Sequence, residues 1–335
     1  MAEEKLRVVH VGTGGRGRWP LEVIGNDPRF ESVALVDINE NFLAAARQAT
    51  GLPESACFRD LEQAVRSVPA DLMIICTPTA THAPFARIGF AHGLHVLTEK
   101  GMTQDWPTAI ALVREAQEAG VKFCVSQNYR YFPVEQTMKT LFGTEKYGTP
   151  AFMDLIHHRY RPEPRTLNYK NAMLWDMSCH HFDNLVFWFG PAESVIARTF
   201  SAPWSKYAPH DAGVSAVITF QNGVTCTYSL THIGQNNWHR TWIHTTTGTL
   251  RAHDVRGIEY RPINSNEAEA VPLLEVPRSE QGVINDVYRY ITEGVEPGIS
   301  GRNNLTTLAI IEACGRSHER NAAVELAEVM SEVNL

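Results

Sequence analysis

The sequence predicts an α/β protein in two parts: a doubly wound parallel sheet over residues 1–130, then an α+β domain with a large, mostly antiparallel sheet over 131–335. Three observations predict it. Strand and helix patterns alternate through the first 130 residues. From Pro150 onward strand-like segments follow one another without intervening helices, joined by turn signals such as Gln221-Asn222-Gly223 and Thr247-Gly248. The chain has 335 residues, more than a single core usually holds.

The elements follow in order. Leu6 to Val11 is an apolar run that enters Gly12-x-Gly14-x-x-Gly17; a helix-compatible segment comes next, and a second apolar run, Val33 to Val36, ends in Asp37. Gly12 permits a tight turn, Gly14 lets backbone N–H groups approach a pyrophosphate, and Gly17 lets the helix pack closely on its strand. The helix N-terminus then faces the anion with its dipole and free donors. Asp37 is positioned to accept hydrogen bonds from adenosine ribose hydroxyls. Strand, glycines, helix, second strand and terminal acid together make a complete dinucleotide-binding βαβ unit of the Rossmann type. A carboxylate at 37 repels a 2′-phosphate, and Ile38 and Asn39 supply no cation to hold one, so NAD is favoured over NADP. Arg16 and Arg18 leave three fates open: flanking the pyrophosphate, lying in solvent, or one of them turning toward a ribose phosphate.

Further along, Glu40 to Thr50 reads as a helix stopped by Gly51 and Pro53. A short strand at Cys57-Phe58 and a helix from Leu61 to Val68 precede a buried strand, Asp71 to Cys76. That strand delivers the chain into Thr77, Pro78, Thr79, Ala80, Thr81 and His82, a loop expected over the cofactor because ligands bind outside the carboxyl ends of such strands. A helix from Ala83 to His92 and a strand from His95 to Thr98 lead to Glu99 and Lys100. The helix Asp105 to Ala119, the strand Lys122 to Ser126 and the loop Gln127, Asn128, Tyr129, Arg130 complete the domain, and Tyr131 to Phe142 connects to the next. There Thr149 to His157, Ser194 to Phe200, Val214 to Phe220, Thr225 to Ile233, Arg240 to Thr246 and Gly257 to Ile263 are expected strands. One helix, Asp176 to Phe189, interrupts them and stops at Gly190-Pro191. Helices from Gln281 to Glu293 and Asn304 to Asn321 close the chain. The most loop-like stretch is Arg159 to Asn171.

Composition excludes several classes. Hydrophobic residues at 44% and charged residues at 20% are ordinary for a globular protein, and a net charge of −7 points away from nucleic acid or an anionic membrane. The opening MAEEKLRVV has no basic segment followed by an apolar one, and no stretch approaches the ~18 apolar residues of a membrane span; a cytoplasmic protein is expected. The six cysteines are scattered without C-x-x-C spacing. Three sit in or beside apolar runs and read as small buried hydrophobes.

Two sets of residues are suited to chemistry. Asp176 and His180, four apart on an expected helix, share one face one turn apart, and Asp183 continues it. A carboxylate beside an imidazole raises its basicity and fixes its orientation, which suits acid–base work near neutral pH. Taken alone, the pair is more often a surface Asp and His that cap or pair with one another. What brings it forward is that a second domain must cover a nicotinamide with something, and this is its only helix so placed with such a pair. Lys100 follows a buried strand at the carboxyl edge of the sheet, where a lone lysine is expensive unless paired or at a solvent-filled site. Glu99 is able to pair with it or to help seat the nicotinamide ribose; a lysine that has simply reached the surface is an equally good reading of the pattern.

With these residues in view, the chain resembles the Gfo/Idh/MocA oxidoreductases, named after glucose–fructose oxidoreductase and inositol dehydrogenase, over essentially all of its length. The resemblance rests on Gly12 to Gly17, on Thr77-Pro78 with His82, on Glu99-Lys100 where the family carries Glu-Lys-Pro, and on L-x-D-x-S-x-H-x-x-D from Leu174 to Asp183. It rests also on the closing segment Ser300-Gly301 through Leu308, Ile311, Glu312, Ala313 and Ser317. It implies a second domain of the glyceraldehyde-3-phosphate-dehydrogenase-like type and a last helix that packs back on the first domain. It further implies NAD held by Gly12, Thr13, Gly14, Arg16, Gly17, Asp37, Thr77, Pro78, Thr79, His82, Glu99, Lys100 and Gln127. The implied catalytic trio is Lys100, Asp176 and His180: His180 as base, Asp176 orienting it or the substrate, Lys100 polarising the oxygen and relaying the proton, with the same trio serving ketone reduction. Two departures stand out. Gly101 replaces the proline that commonly sets a special peptide geometry after the lysine, and since a non-proline cis bond costs ~3 kcal/mol, Lys100 is expected to be held differently or more loosely. Ser178 takes a position often held by glycine.

Around the trio, Asn128, Tyr129, Arg130, His157, Tyr160, Trp175 and His181 are candidates for reading substrate hydroxyls or stacking on a sugar face, Trp175 foremost because it abuts Asp176. A metal reading of Asp176, Cys179, His180, His181, His157 and His158 ranks well below, because adjacent histidines on a helix point roughly 100° apart. The leading expectation is an NAD-dependent dehydrogenase of a sugar, sugar derivative or inositol-like polyol, working as a homodimer or homotetramer. The runner-up is an NAD-dependent glycoside hydrolase or epimerase acting by transient oxidation. A non-catalytic NAD-binding regulator comes third, having no chemical need of Lys100, Asp176 and His180.

Overall fold

The computed structural model describes residues 5–163, 169–253 and 256–334; the loop expected over Arg159 to Asn171 lies outside them at 164–168. Two compact units form, one from the chain through Gln127 together with Glu280–Leu305, the other from Asn128–Ser279 with Thr306–Asn334. The chain thus divides three residues before the expected boundary at 130, and a late segment returns to the first unit.

In the first unit β1 (Leu6–Val11), α1 (Arg18–Gly25), β2 (Phe30–Val36), α2 (Glu40–Thr50), β3 (Cys57–Phe58), α3 (Leu61–Ser67), β4 (Leu72–Ile75), α4 (His82–Ala91), β5 (His95–Thr98), α5 (Trp106–Glu118) and β6 (Phe123–Val125) alternate. The six strands pair in parallel in the order β3-β2-β1-β4-β5-β6. The order reverses between β1 and β4, where an open sheet of this kind leaves a crevice for ligands. Local chemistry sets the helix ends. The Asn39 side chain accepts from the N–H groups of Asn41 and Phe42, Asp60 caps α3 through Gln63, and Asp105 caps α5 through Thr108. Gly51 ends α2 at φ 72°, a left-handed turn that glycine adopts freely.

The second unit begins with α6 (Pro133–Leu141), β7 (Pro150–Tyr160), a π-helical turn at Leu174–Ser178, and α7 (Cys179–Phe189). Then come β8 (Ala192–Phe200), β9 (Gly213–Phe220), β10 (Thr225–Thr231), β11 (Ile233–Thr245), β12 (Gly248–Ala252), β13 (Ile258–Pro262) and β14 (Glu269–Val271). Next are α8 (Ser279–Thr292), most of which belongs to the first unit, and α9 (Gly301–Arg320), followed by β15 (Val324–Glu325) and α10 (Leu326–Met330). The nine-stranded sheet runs β14-β13-β12-β11-β7-β10-β9-β8-β15. It is antiparallel except at its centre, where β10 lies parallel to β7.

Three expected elements change. The strand expected over Thr225 to Ile233 stops at Thr231, and Ile233 already begins β11 against β7. That strand starts well before the expected Arg240 because its polar opening residues carry no period-2 pattern, and its register shifts between Ile233 and Trp238. β12 begins at the turn signal Thr247-Gly248 and runs where no strand is expected; only Leu250 of its five residues is buried, too little alternation to announce a strand. The helix expected from Asp176 begins instead as the π turn.

Four of the six cysteines are buried, and burial pushes the Cys124, Cys226 and Cys314 thiols up. Among the described residues no helix is long and apolar enough to cross a membrane.

Helix α7 is tied down by a buried ion pair. The Arg130 guanidinium donates to both oxygens of Asp183, Nε at 2.8 Å and Nη2 at 2.6 Å, and Thr307 Oγ1 donates to the same carboxylate. Burial pushes the Asp183 carboxyl up and Arg130 pulls it back. Removing one member strands the other: Arg130→Met is expected to cost about 3–5 kcal/mol in urea unfolding, and Arg130→Met with Asp183→Leu to recover most of it. A single variant as stable as the parent contradicts this account.

Candidate active site

The glycine loop of the first unit is built on contacts that exclude side chains. Gly12 has φ +81°, and a Cβ there falls 2.6 Å from the Cys76 carbonyl oxygen. A Cβ on Gly17 falls 1.9 Å from the Gly12 carbonyl oxygen, so the turn before α1 closes directly on the end of β1. At Gly14 the neighbour is the Phe42 ring, 2.3 Å from an added Cβ. Phe42, in the first turn of α2, escapes a sequence reading because an aromatic three residues past the N-cap Asn39 carries no periodic signal.

Asp37 anchors this loop. Its Oδ2 accepts from the Thr13 N–H at 2.7 Å and from Thr13 Oγ1 at 3.1 Å, while Oδ1 accepts from the Asn39 N–H at 2.8 Å. Ile38 beside it is 81% exposed and supplies no cation. Arg59, which follows β3, lines a cavity together with Asp37 and Ile38 and pairs with Glu40 at 2.7 Å. Its signal in the sequence is only its place one residue past the strand that pairs with the end of β2.

Arg16 turns to Glu99, Nη2 to Oε1 at 3.1 Å, with Glu280 at 3.7 Å. Trp19 Nε1 donates to the same Oε1 at 2.8 Å, and the Lys100 backbone N–H to Oε2 at 3.2 Å. Glu99 is thus a buried hub whose side chain meets Arg16, Trp19 and a backbone amide. The Lys100–Gly101 peptide is cis. The altered hold on Lys100 expected from glycine at 101 is corrected on this point: the bond adopts the cis form with glycine where the family carries proline. Beyond it, His82 bridges two carbonyls, Nε2 to Thr77 at 2.9 Å and Nδ1 to Gly101 at 2.8 Å, and burial pushes its pKa down.

A cavity of about 510 Å³ opens along this edge, walled by Gly12, Gly14, Asp37, Leu61, Thr77 and Phe85 among others. Backbone amides and a carboxylate at one side and apolar walls at the other suit a nucleoside diphosphate. Farther along the strand ends, Thr98 Oγ1, Ser126 Oγ and both amide atoms of Gln127 are buried with no hydrogen-bond partner among the described residues. Buried polar atoms are costly unless matched, and a carboxamide and ribose offer the matching groups. The residues present fit a dinucleotide.

In the second unit the π turn carries Trp175, Asp176 and Ser178, and α7 carries His180 and His181. A π turn inside a helix shifts the register of everything after it, so Asp176 and His180 are not simply one α-turn apart. His180 lies flat on Tyr129, ring centroids 3.9 Å apart and planes within 6°. His181 turns elsewhere: its Nδ1 meets Tyr228 OH at 2.8 Å, and that hydroxyl meets Ser178 Oγ at 2.8 Å. The adjacent histidines diverge as helical geometry requires. Among the described residues no group of three or more His, Cys, Asp or Glu side chains is arranged to hold a metal.

The other candidates separate. Arg130 spends its guanidinium on Asp183. Tyr160 is 53% exposed, whereas Trp175 and Asn128 are buried. His157 joins an imidazole cluster, its Nδ1 2.9 Å from His239 Nδ1 and its ring centroid 4.7 Å from that of His181. Burial pushes the pKa of His157 far down, that of His181 to about 3 and that of His232 to about 4.

Comparison with known proteins follows from this geometry. A family model described as "Oxidoreductase family, NAD-binding Rossmann fold" matches residues 6–127, and one described as "GFO/IDH/MocA C-terminal domain" matches residues 136–251. The D-apiose dehydrogenase of Paraburkholderia graminis is 27% identical over 323 residues, 90% of this chain and 84% of its own. The inositol 2-dehydrogenase of Rhizobium meliloti is 23% identical over 95% of this chain and 98% of its own. Among solved structures, the aldose-aldose oxidoreductase of Caulobacter crescentus, complexed with glycerol, superposes with a TM-score of 0.85 at 18% identity, covering 96% of this chain and all of that one. At that identity the likeness shows the fold.

Two measurements check this geometry. Gly17→Ala is expected to abolish dinucleotide binding in a calorimetric titration, and normal affinity removes the loop account. For pH, a histidine whose folded pKa is depressed contributes stability above its unfolded pKa, near 6.5. That stability is lost as the unfolded chain takes protons the folded one refuses, for His181 from about pH 6.5 down toward about 3. Urea unfolding is expected to show stability falling between pH 6.5 and 4.5. His181→Asn is expected to flatten that slope by up to ~1.4 kcal/mol per pH unit, and an unaltered slope contradicts the burial of a neutral imidazole.

Proposed function

The chain belongs to the Gfo/Idh/MocA oxidoreductase family, and from that premise we propose that it transfers a hydride between NAD and a hydroxyl-bearing carbon of a sugar, sugar derivative or inositol-like polyol. The observation that carries the reading is the arrangement in the second unit: Asp176 within the π turn that leads into α7, and His180 in α7 stacked on Tyr129. When bound, the nicotinamide supplies the hydride acceptor, or the donor in reverse.

Each residue has a role. Thr13, held to Asp37, and the glycine turn seat the diphosphate and ribose. Gln127, with its unmatched amide, and the Thr77, Pro78, Thr79 loop bracketed by His82 line the cofactor. His180 takes the proton from the substrate hydroxyl as the carbon gives up hydride; the flat contact with Tyr129 limits the tilt of its ring, which keeps one nitrogen aimed. Asp176 favours the imidazolium that forms and orients the pair. Lys100 donates to the substrate oxygen and stabilises the charge that builds on it. Glu99, clasped by Arg16 and Trp19, fixes the backbone from which Lys100 departs. In the reverse direction His180 returns the proton to a ketone oxygen.

NAD is favoured over NADP by Asp37, whose carboxylate repels a 2′-phosphate. The relatives named above act on apiose and inositol, which supports a small polyhydroxylated substrate. A homo-oligomer in the cytoplasm fits the family resemblance.

The test is the reduced-nicotinamide absorbance while protein and NAD meet a panel of sugars, inositols and sugar acids. Lys100→Ala, Asp176→Asn and His180→Asn are each expected to lower kcat by roughly 10²–10⁴-fold with Kd for NAD little changed. Loss of NAD affinity at unchanged kcat overturns the assignment. Asp37→Ala is expected to cut the preference for NAD over NADP by at least roughly tenfold, read from Kd for each dinucleotide; an unmoved ratio places the discrimination elsewhere.

A further inference from the structure

The second unit contains a cavity of about 350 Å³ whose wall includes Tyr129, the ring stacked on His180, and among the described residues Arg159 is the only arginine or lysine on that wall. Strand β7 alternates, so Met153, Leu155, His157 and Arg159 share one face. Met153, Leu155 and His157 are buried on it, and Arg159 is half-buried. The further a guanidinium is withdrawn from water, the more it needs a carboxylate or another acceptor against it. Arg130 has Asp183 and Arg240 has Asp154. Arg159 has no carboxylate within ion-pair distance among the described residues.

The surroundings of Arg159 do not supply the missing charge. Its field presses the pKa of three histidines further down, His157, His181 and His232, which burial already holds low. All three are therefore neutral around a permanent cation. His157 and His181 also line the cavity, as do His239 and Asn184. His181 commits Nδ1 to Tyr228, which leaves Nε2 to meet a ligand hydroxyl. One carboxylate, Glu135, shares the wall and receives the Asn184 amide at 3.4 Å.

We propose that this cavity binds an acidic polyhydroxy substrate, a sugar acid, with Arg159 taking its carboxylate in the forked, two-bond mode and the neutral imidazoles and Asn184 reading its hydroxyls. The proposal rests on the oxidoreductase reading and narrows it from neutral sugars and inositols to their acids. A planar guanidinium matches a planar carboxylate. A phosphate ester fits less well, because a near-dianion faces one cation and the Glu135 carboxylate on the same wall.

The test is calorimetric titration of the NAD-saturated protein with matched compounds: D-glucuronate against D-glucose, D-galacturonate against D-galactose, D-gluconate against sorbitol, and glucose 6-phosphate, with NADH formation followed on the same samples. At least one acid is expected to bind roughly 10–100-fold more tightly than its neutral counterpart. Arg159→Gln is expected to erase that difference without changing neutral-sugar affinity, and Arg159→Lys, which keeps the charge and loses the fork, to fall between. Thermal melts of both variants verify folding. Equal affinity for acid and neutral partner, an acid Kd indifferent to Arg159→Gln, tighter binding of the phosphate, or no binding by any acid overturns the proposal. NADH from neutral sugars alone leaves the oxidoreductase reading intact and removes the acid site. Arg159-dependent acid binding without NADH does the reverse.

Discussion

The contact between Gly17 and the carbonyl oxygen of Gly12 is the constraint on which the first unit's chemistry depends. With 1.9 Å available to a Cβ, only a hydrogen can face that oxygen. The turn therefore closes tightly, and three consequences follow from that closure. Thr13 comes within reach of both Asp37 and its own loop, so the second strand's terminal carboxylate and the glycine turn become one rigid piece. Arg16 and Trp19, on either side of Gly17, reach Glu99 at the end of β5. Glu99 in turn holds the backbone of Lys100. The conformation of the glycine turn and the backbone at Lys100, the lysine proposed for catalysis, are thus linked through a single buried carboxylate, more than eighty residues apart in sequence.

The second unit depends on a different device. Helix α7 is apolar enough to bury most of its surface, yet it carries Asp183 into the interior, and only Arg130 with Thr307 makes that tolerable. The pair fixes α7 against the turn Asn128–Tyr131, and the same turn presents Tyr129 to His180. An ion pair that looks purely structural thereby sets the orientation of the proposed base. The π turn before α7 widens the helix where Asp176 lies, as π turns commonly do at functional sites.

Neutral imidazoles and a guanidinium that has no carboxylate partner among the described residues give the inner face of β7 an unusual electrostatic character. Histidines held uncharged by burial act as hydrogen-bonding groups of constant state across the physiological range, while the arginine keeps its charge at every pH. A surface of that kind distinguishes ligands by charge at one point and by hydrogen-bonding pattern elsewhere.

Much of this was legible from the chain alone. The alternation of strand and helix patterns, the glycines at 12, 14 and 17, Asp37, and the runs at Glu99-Lys100 and Leu174 to Asp183 determined the fold class, the dinucleotide edge and the family, because each is written in local spacing that survives without knowledge of neighbours. α2 over Glu40–Thr50 and β5 over His95–Thr98 were readable to the residue, since Asn39, Gly51 and the flanking turns mark their ends. Tertiary structure decided the rest. That Arg16 serves Glu99, that Arg130 is consumed by Asp183, that β7 and β10 run parallel, that Asp176 rides a π turn, and that Arg159 stands among neutral histidines all depend on partners distant in sequence or on backbone that no local pattern encodes. A charged side chain's role is set by the charge it meets, and that meeting exists only in the folded chain.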